Sequence, residues 1–214
     1  MEAVKSTRPY DSRGRKEQAA RNRAAALDAA ERLFLEHGYT GTSIASIAQE
    51  AGLSVQTIYK VFGGKSGLVK AIYFRGLLGK GDAPAYERSD AMREREVDPR
   101  KIMREWGTLT AEVASVVSPI RLLMRSAGLA DPEMEALLRE TDDDRLKRMR
   151  HHARFLQARG HLRKGVTLGE ATDVLWTCSS VEIYDLLVVQ RGWPLPRAAR
   201  FIADFMITAL LPPE

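Results

Sequence analysis

Apolar residues recur along this chain at intervals of three and four, and alternating strand-like runs are nearly absent, so the pattern predicts an all-α protein. A first helix is expected from about Arg15 to His37, with Ala20, Leu27, Ala30 and Phe34 in one stripe and Gly38 as its stop signal. A short helix follows, capped by Thr42 or Ser43 and carrying Ile44, Ile47, Ala48 and Ala51 on one face. Gly52 permits a tight turn, Ser54 caps a third helix that Gly63 and Gly64 end, and Lys65 or Ser66 opens another with Leu68 and Ile72.

From Gly79 to Asp98 the chain is polar and irregular, which predicts a domain boundary there. The organisation expected is a basic flexible arm over residues 1–14, a three-helix domain over 15–80 and a larger helical bundle over 98–214. In the bundle, one helix is predicted from Asp98 to Val117, broken or kinked by Pro119, and a shorter one from Pro119 to Ala127. Asp131 and Pro132 then start a helix that reaches about Ala158. A penultimate helix over Leu168 to Gln190 is apolar on nearly all sides between Val174 and Val189. The last carries Ala198, Ile202, Phe205 and Ala209 on one face.

Charge changes the picture once it is divided. The net +5 splits into +6 over residues 1–80 (13 basic, 7 acidic) and −1 over residues 81–214 (20 basic, 21 acidic). The whole positive excess lies where the short helices lie, as expected of a part that meets a polyanion. Cys178 is the only cysteine, which excludes an intramolecular disulfide and a cysteine-based metal cluster. There is no run long and apolar enough for a membrane span, and the first residues lack the apolar core of a secretory signal, so a cytoplasmic protein is expected.

The stretch "AGLSVQTIYKVF", Ala51 to Phe62, concentrates the chemistry. At 100° per residue Ile58, Val61 and Phe62 point one way to pack inward, and Gln56, Thr57, Tyr59 and Lys60 fill the other side. No acid occurs between Ala51 and Lys65. A solvated face on a short helix would more often carry Glu, Lys and Arg, whereas an acid-free, donor-rich face suits phosphate. Helix, glycine turn, helix is the helix-turn-helix arrangement, whose second helix enters the major groove of DNA. The expected contacts are Gln56 and Lys60 to base edges, with Thr57 and Tyr59 on phosphates. Thr42, Ser43, Ser54 and Val55 are candidates beside them, and Lys65 adds a charge at the next helix start. Arg13, Arg15 and Lys16 are candidates for the minor groove or backbone.

At these residues a family resemblance becomes specific. Residues of about 24–72 resemble the DNA-binding domain of TetR-family transcriptional regulators. The pattern is carried by Gly38-Tyr39, Thr42-Ser43, Ile47-Ala48, Ala51-Gly52, Ser54, Thr57, Tyr59, Phe62, Lys65 and Leu68. Gly63-Gly64 and Gly67 depart from it. The rest of the chain resembles, more loosely, the helical ligand-binding and dimerisation domain of the same family. "DVLWTCSSVEIYDLLVVQRGWP" and "FIADFMITALL" match its last two major helices.

The resemblance implies a homodimer joined through those two helices, with Val181, Val188, Ile202, Phe205 and Ala209 as interface candidates. It implies double-stranded operator DNA and a small-molecule effector as partners, and most often repression. An effector cavity is expected among the mid-domain helices, with Met103, Trp106, Thr110, Met124, Trp176, Ser179 and Tyr184 as candidate lining. Each of these is more often plain core when taken alone. His151-His152 and the mixed run "DDDRLKRMRHHAR" read as a solvated helix face with pairs such as Asp144–Arg148, and Cys178 as a small buried residue. No nucleophile–base–acid set, phosphate loop or metal motif stands out, so no enzyme, cofactor or metal is expected. Two other readings stay open: a helical small-molecule-binding protein without specific operator binding, and an architectural DNA-binding protein.

Overall fold

The computed structural model describes residues 12–213, and every regular element among them is helical. The arm expected over residues 1–14 lies largely outside the described residues. The chain divides into two compact units between Leu68 and Val69, inside a helix, and not in the expected segment 79–98.

The smaller unit is built from α1 (Ser12–Gly41), α2 (Ile44–Ala51), α3 (Val55–Phe62) and the first residues of α4 (Lys65–Gly76). Gly38, at φ 73° and ψ 170°, interrupts α1 where the stop was expected. Leu27, Ala30 and Phe34 of the predicted stripe are buried, together with Ala26 and Leu33, while Ala20 is exposed. Ile47 and Ile58 complete this small core.

The larger unit contains the rest of α4, then α5 (Ala85–Arg95), α6 (Pro99–Gly128), α7 (Pro132–Ala158) and α8 (Leu168–Cys178). It continues with α9 (Val181–Tyr184), a π-helical turn over Asp185–Gln190, and α10 (Leu195–Leu210). Ile102, Met103, Trp106, Leu156, Leu175, Met206 and Leu210 form the centre of its core. Asp98, Asp131 and Thr167 cap α6, α7 and α8 by accepting backbone N–H groups that the helix cannot satisfy itself. No helix among the described residues is long and apolar enough to cross a membrane.

Three expectations are corrected here. The segment 79–98 is not an irregular linker, since α5 forms within it and packs on α6. Pro119 does not end a helix, because α6 runs through it to Gly128. A proline inside a helix costs about 3 kcal/mol. Val117 and Ser118 before it and Ile120 and Arg121 after it are all buried, so the packing of both halves opposes a break. The helix expected over Leu168–Gln190 is interrupted instead at Ser179 and Ser180, and Ser180 is extended at ψ 146°. The Trp176 carbonyl at this break is satisfied from two sides. Arg145 Nη1, from α7, donates to it at 2.5 Å and to Ser179 Oγ at 3.0 Å, and the Ser179 hydroxyl donates to the same carbonyl at 3.0 Å, so it needs no helical partner.

α6 and α10 form the most extensive helix pair. Their approach is set by Gly107, where a methyl group would lie 2.6 Å from the Ala199 carbonyl oxygen and 2.9 Å from the Ala203 Cβ. Gly107→Ala raises helix propensity by about 1 kcal/mol. It nevertheless lowers stability by roughly 1–3 kcal/mol through overpacking. Urea unfolding checks this through a lower midpoint at unchanged slope.

Candidate nucleic-acid interface and effector cavity

The turn before α3 is built by three local devices. Gly52 takes the left-handed conformation (φ 65°, ψ 33°), and its N–H and that of Leu53 both reach back to α2 carbonyls, Leu53 to Ala48 at 2.9 Å. Ser54 Oγ accepts the Thr57 N–H at 3.1 Å, and the two hydroxyls lie 2.9 Å apart. Ile58, 0% exposed, anchors the helix in the core. What stays outward on α3 is Val55, Gln56, Tyr59, Lys60 and Val61. Val61 therefore belongs to the outer face and not to the inward face expected of it, whereas Phe62 is half-buried with the Arg23 guanidinium over its ring.

The candidate contacts separate by how their polar atoms are used. Gln56, Tyr59 and Lys60 are exposed on one face. Ser54 and Thr57 spend hydrogen-bonding capacity on the cap, and Ser43 does the same for α2 in a reciprocal box with Ser46. Thr42 is corrected: it is 3% exposed, and its hydroxyl sits 2.8 Å from the Gly38 carbonyl and 3.0 Å from that of Leu33. Its hydroxyl ties off the end of α1. Lys65 Nζ lies 4.2 Å from the centre of the Tyr39 ring, a cation–π seat at the start of α4. Glu50, the acid nearest this face in sequence, is ion-paired to Arg32.

The two departures from the family pattern are linked. Gly63 and Gly64 both take positive φ between α3 and α4. The α4 backbone then comes so close that a Cβ at position 67 would lie 1.7 Å from the Phe62 carbonyl oxygen. Only glycine fits at 67 once the connection takes this path.

The larger unit contains a partly open cavity of about 440 Å³. Its apolar wall includes Phe74, Leu77, Leu109, Val113, Leu175 and Met206. Of the expected lining, Trp106, Thr110 and Ser179 are on the wall. Met103, Met124, Trp176 and Tyr184 are not. Met103 and Met124 are wholly buried, and Trp176 lies under the Arg145 guanidinium at 4.3 Å. Val181, expected at a dimer interface, is buried and lines this cavity, and Ile202, expected there too, is in the unit's own core.

Sequence reasoning missed the polar half of the wall. Arg121, Thr141, Arg145, Arg148 and His152 all line it. Four of them sit on α7 at spacings of four, three and four, continuing the inward stripe that Met134 and Leu137 begin. That spacing was the available signal, hidden because the run looked like a solvated charge cluster. Asp144 pairs with Lys147 at 2.9 Å, while Arg148 forks onto Asp90 at 2.6 and 3.0 Å and donates to the Tyr86 carbonyl at 2.7 Å. Arg121, 5% exposed, donates to Thr141 Oγ1 and Asp142 Oδ1, both at 2.6 Å. Burial pushes the Cys178 thiol up to about 12, so it stays an inert thiol on this wall.

His152 is not a surface residue. It is 5% exposed, its ring centre lies 4.4 Å from that of Trp106, and Nε2 is 3.2 Å from Ser89 Oγ. Burial, followed by the Arg148 and Arg93 charges, holds its pKa well below the ordinary histidine value. The unfolded chain therefore takes up a proton that the folded chain refuses as pH falls through about 6.5. Stability falls with acidification across that range, and His151 and His161 shift in the same direction. In calorimetry between pH 7.5 and 5.5 the midpoint of wild type drops. His152→Gln shows a smaller drop, and equal acid sensitivity in the two would refute this origin.

Comparison with known proteins agrees with the geometry of the small unit. A family model described as "Bacterial regulatory proteins, tetR family" matches residues 26–72. The HTH-type transcriptional repressor ComR of Escherichia coli (strain K12) is 43% identical over 54 residues, 25% of this chain and 26% of ComR. The HTH-type transcriptional regulator BetI of Burkholderia lata is 30% identical over 118 residues, 54% of this chain and 59% of BetI. The chain thus spans between about a quarter and three-fifths of these curated relatives. The crystal structure of FadR from Bacillus subtilis in complex with stearoyl-CoA shares the fold, with a TM-score of 0.70 at 15% identity over 87% of this chain and 98% of that one. Residues 26–72 thus match the helix-turn-helix domain of the TetR family of bacterial regulatory proteins.

Proposed function

We propose that the chain is a ligand-responsive transcriptional repressor that binds palindromic operator DNA as a homodimer and is released by a small-molecule effector. The observation that carries this reading is the outer face of α3. A helix fixed by Ile58 and two local caps leaves Gln56, Tyr59 and Lys60 outward with no acid among them. Gln56 has the amide geometry for an adenine edge, and Lys60 suits guanine or a phosphate. Tyr59 and the α4 start, with Lys65, position the helix on the backbone.

The cavity supports the effector half of the reading, as does the ligand in the FadR structure. α4 begins at Lys65 and carries Tyr73 on the cavity wall, so one helix links the two activities. An effector acts by binding the DNA-released form more tightly than the DNA-bound form. For the dimer, α10 and the π-helical turn before it present Leu186, Val189, Phe201 and Phe205 to solvent, an apolar face of the kind that marks a protein partner. Val188 lies on the same turn, half-buried, as does Ala209 near the end of α10.

Gln56→Ala relaxes base preference at one position of each half-site. Lys65→Ala weakens all sequences about equally and flattens the salt dependence. Gel-shift titrations against the region upstream of its own gene, at several salt concentrations, measure both. A steep salt slope without sequence preference would instead mark an architectural protein, and no shift at all would refute DNA binding.

Phe205, 49% exposed, tests the interface. Phe205→Glu sediments as a monomer at concentrations where wild type is dimeric. An unchanged dimer removes α10 from the interface.

A further inference from the structure

We propose that the effector is an amphipathic anion, a hydrophobic carboxylate, whose acidic group is received by Arg145 beside Arg121, and that this contact releases the break between α8 and α9. The proposal rests on the effector-responsive reading and names the chemistry of that site.

The charge count around the cavity is unequal. Three guanidiniums line it, Arg121, Arg145 and Arg148, and together with Arg93 behind them they share two carboxylates, Asp90 and Asp142. Asp144 on the wall is engaged by Lys147, and Glu182 is paired with Arg125. The excess is not spread evenly. Arg148 holds Asp90 with both nitrogens, and Arg121 holds Asp142 at 2.6 Å. Arg145 reaches the same Asp142 oxygen only at 3.3 Å, and its other hydrogen-bond partners, the Trp176 carbonyl and Ser179 Oγ, carry no charge. Burial, opposed by Asp142 and reinforced by Arg121, makes the cation at 145 harder to hold than an ordinary arginine. Of the three guanidiniums on the wall it is the one with least compensation, and a carboxylate gives it bonds about twice as strong as a neutral carbonyl does.

The rest of the wall defines what the carboxylate is attached to. It is apolar, with aromatic surface from Tyr73, Phe74 and Trp106. Trp106 Nε1 and His152 Nδ1 are buried without a hydrogen-bond partner, although both side chains line the cavity and are 5% exposed. An indole N–H can only donate, so the site also has room for a ligand oxygen near Trp106. A cationic ligand would meet the excess of guanidiniums with every wall carboxylate engaged.

Arg145 is at the same time the residue that holds the break. Its bonds to the Trp176 carbonyl and Ser179 Oγ substitute for helical bonding between α8 and α9. A guanidinium drawn toward a ligand carboxylate gives up those bonds and leaves the Trp176 carbonyl to the Ser179 hydroxyl alone. That changes the junction that leads to the π-helical turn and the exposed apolar face.

A charge series on one chain length tests this with the full-length protein: decanoate, decan-1-ol and decyltrimethylammonium, each below its micelle concentration, by calorimetry. Decanoate binds about tenfold or more tighter than the alcohol, the worth of one charge-assisted bond, and the ammonium binds weakest. Arg145→Gln brings decanoate to the level of the alcohol while leaving the alcohol unchanged, which also shows that the variant is folded; Arg145→Lys restores part of the preference. Amide exchange over residues 176–184 rises with decanoate and not with the alcohol. Equal or better binding of the alcohol or ammonium, an unaltered preference in Arg145→Gln, or no binding by any probe overturns the ligand class. Unchanged exchange overturns the link to the break. Operator binding followed in the same solutions separates the two levels: if decanoate is preferred but the operator complex is unaffected, the ligand class stands and the effector-responsive reading falls.

Discussion

Much of the larger unit follows from the requirement that buried guanidiniums find oxygen. Arg121 and Arg145 lie beside an apolar cavity, where an unpartnered charge would cost several kcal/mol. α7 supplies Thr141 and Asp142 for Arg121, but the same helix cannot also satisfy Arg145 in full. The remaining oxygens come from α8 and the residue after it, at Trp176 and Ser179. A helix that surrenders a carbonyl to an outside donor loses its reason to continue in register. The extended Ser180, the short α9 and the π-helical turn follow that surrender in sequence. The shape of the last third of the chain is thus tied to a cation on a neighbouring helix.

The smaller unit uses polar groups in the opposite way. Thr42, Ser54 and Thr57 turn their hydrogen-bonding capacity inward, onto the backbone of the turns they stabilise. That leaves Gln56, Tyr59 and Lys60 as the outward polar side chains of α3, and makes them separable from the scaffold. The division explains how a residue can match a family pattern from inside the scaffold. Thr42 is buried, and its hydroxyl serves the carbonyls of Leu33 and Gly38.

How much of this could be read in the sequence depended on how local the cause was. The turn at Gly52, the cap at Ser54, the stop at Gly38 and the start at Asp131 and Pro132 are set by neighbours within four residues, and each lies where the pattern placed it. Pro119 and Ser179 show the limit. Local preference put the break at the proline, yet burial on both sides kept α6 whole. The real break came at Ser179 and Ser180, where a local serine bond and a guanidinium over thirty residues away in sequence meet on one carbonyl. The cavity divided in the same way. Trp106, Thr110 and Ser179 were legible as wall residues, whereas the arginines were misread because a charge run on a helix is usually solvated.

Spacing would have corrected that misreading. Residues 141, 145, 148 and 152 repeat at the interval of a buried stripe, and the flanking members of the stripe, Met134, Leu137 and Leu156, are plainly apolar. A stripe that is apolar at both ends and polar in the middle cannot be a solvated face, since its ends fix which way the middle points. Nor can it be ordinary core, because a core gains nothing by half-burying two arginines, Arg145 and Arg148, that hydrophobic residues of similar volume could replace without loss. Inward polar residues at core spacing are therefore better explained by something the cavity must hold than by stability, and their sign states the charge of what it holds.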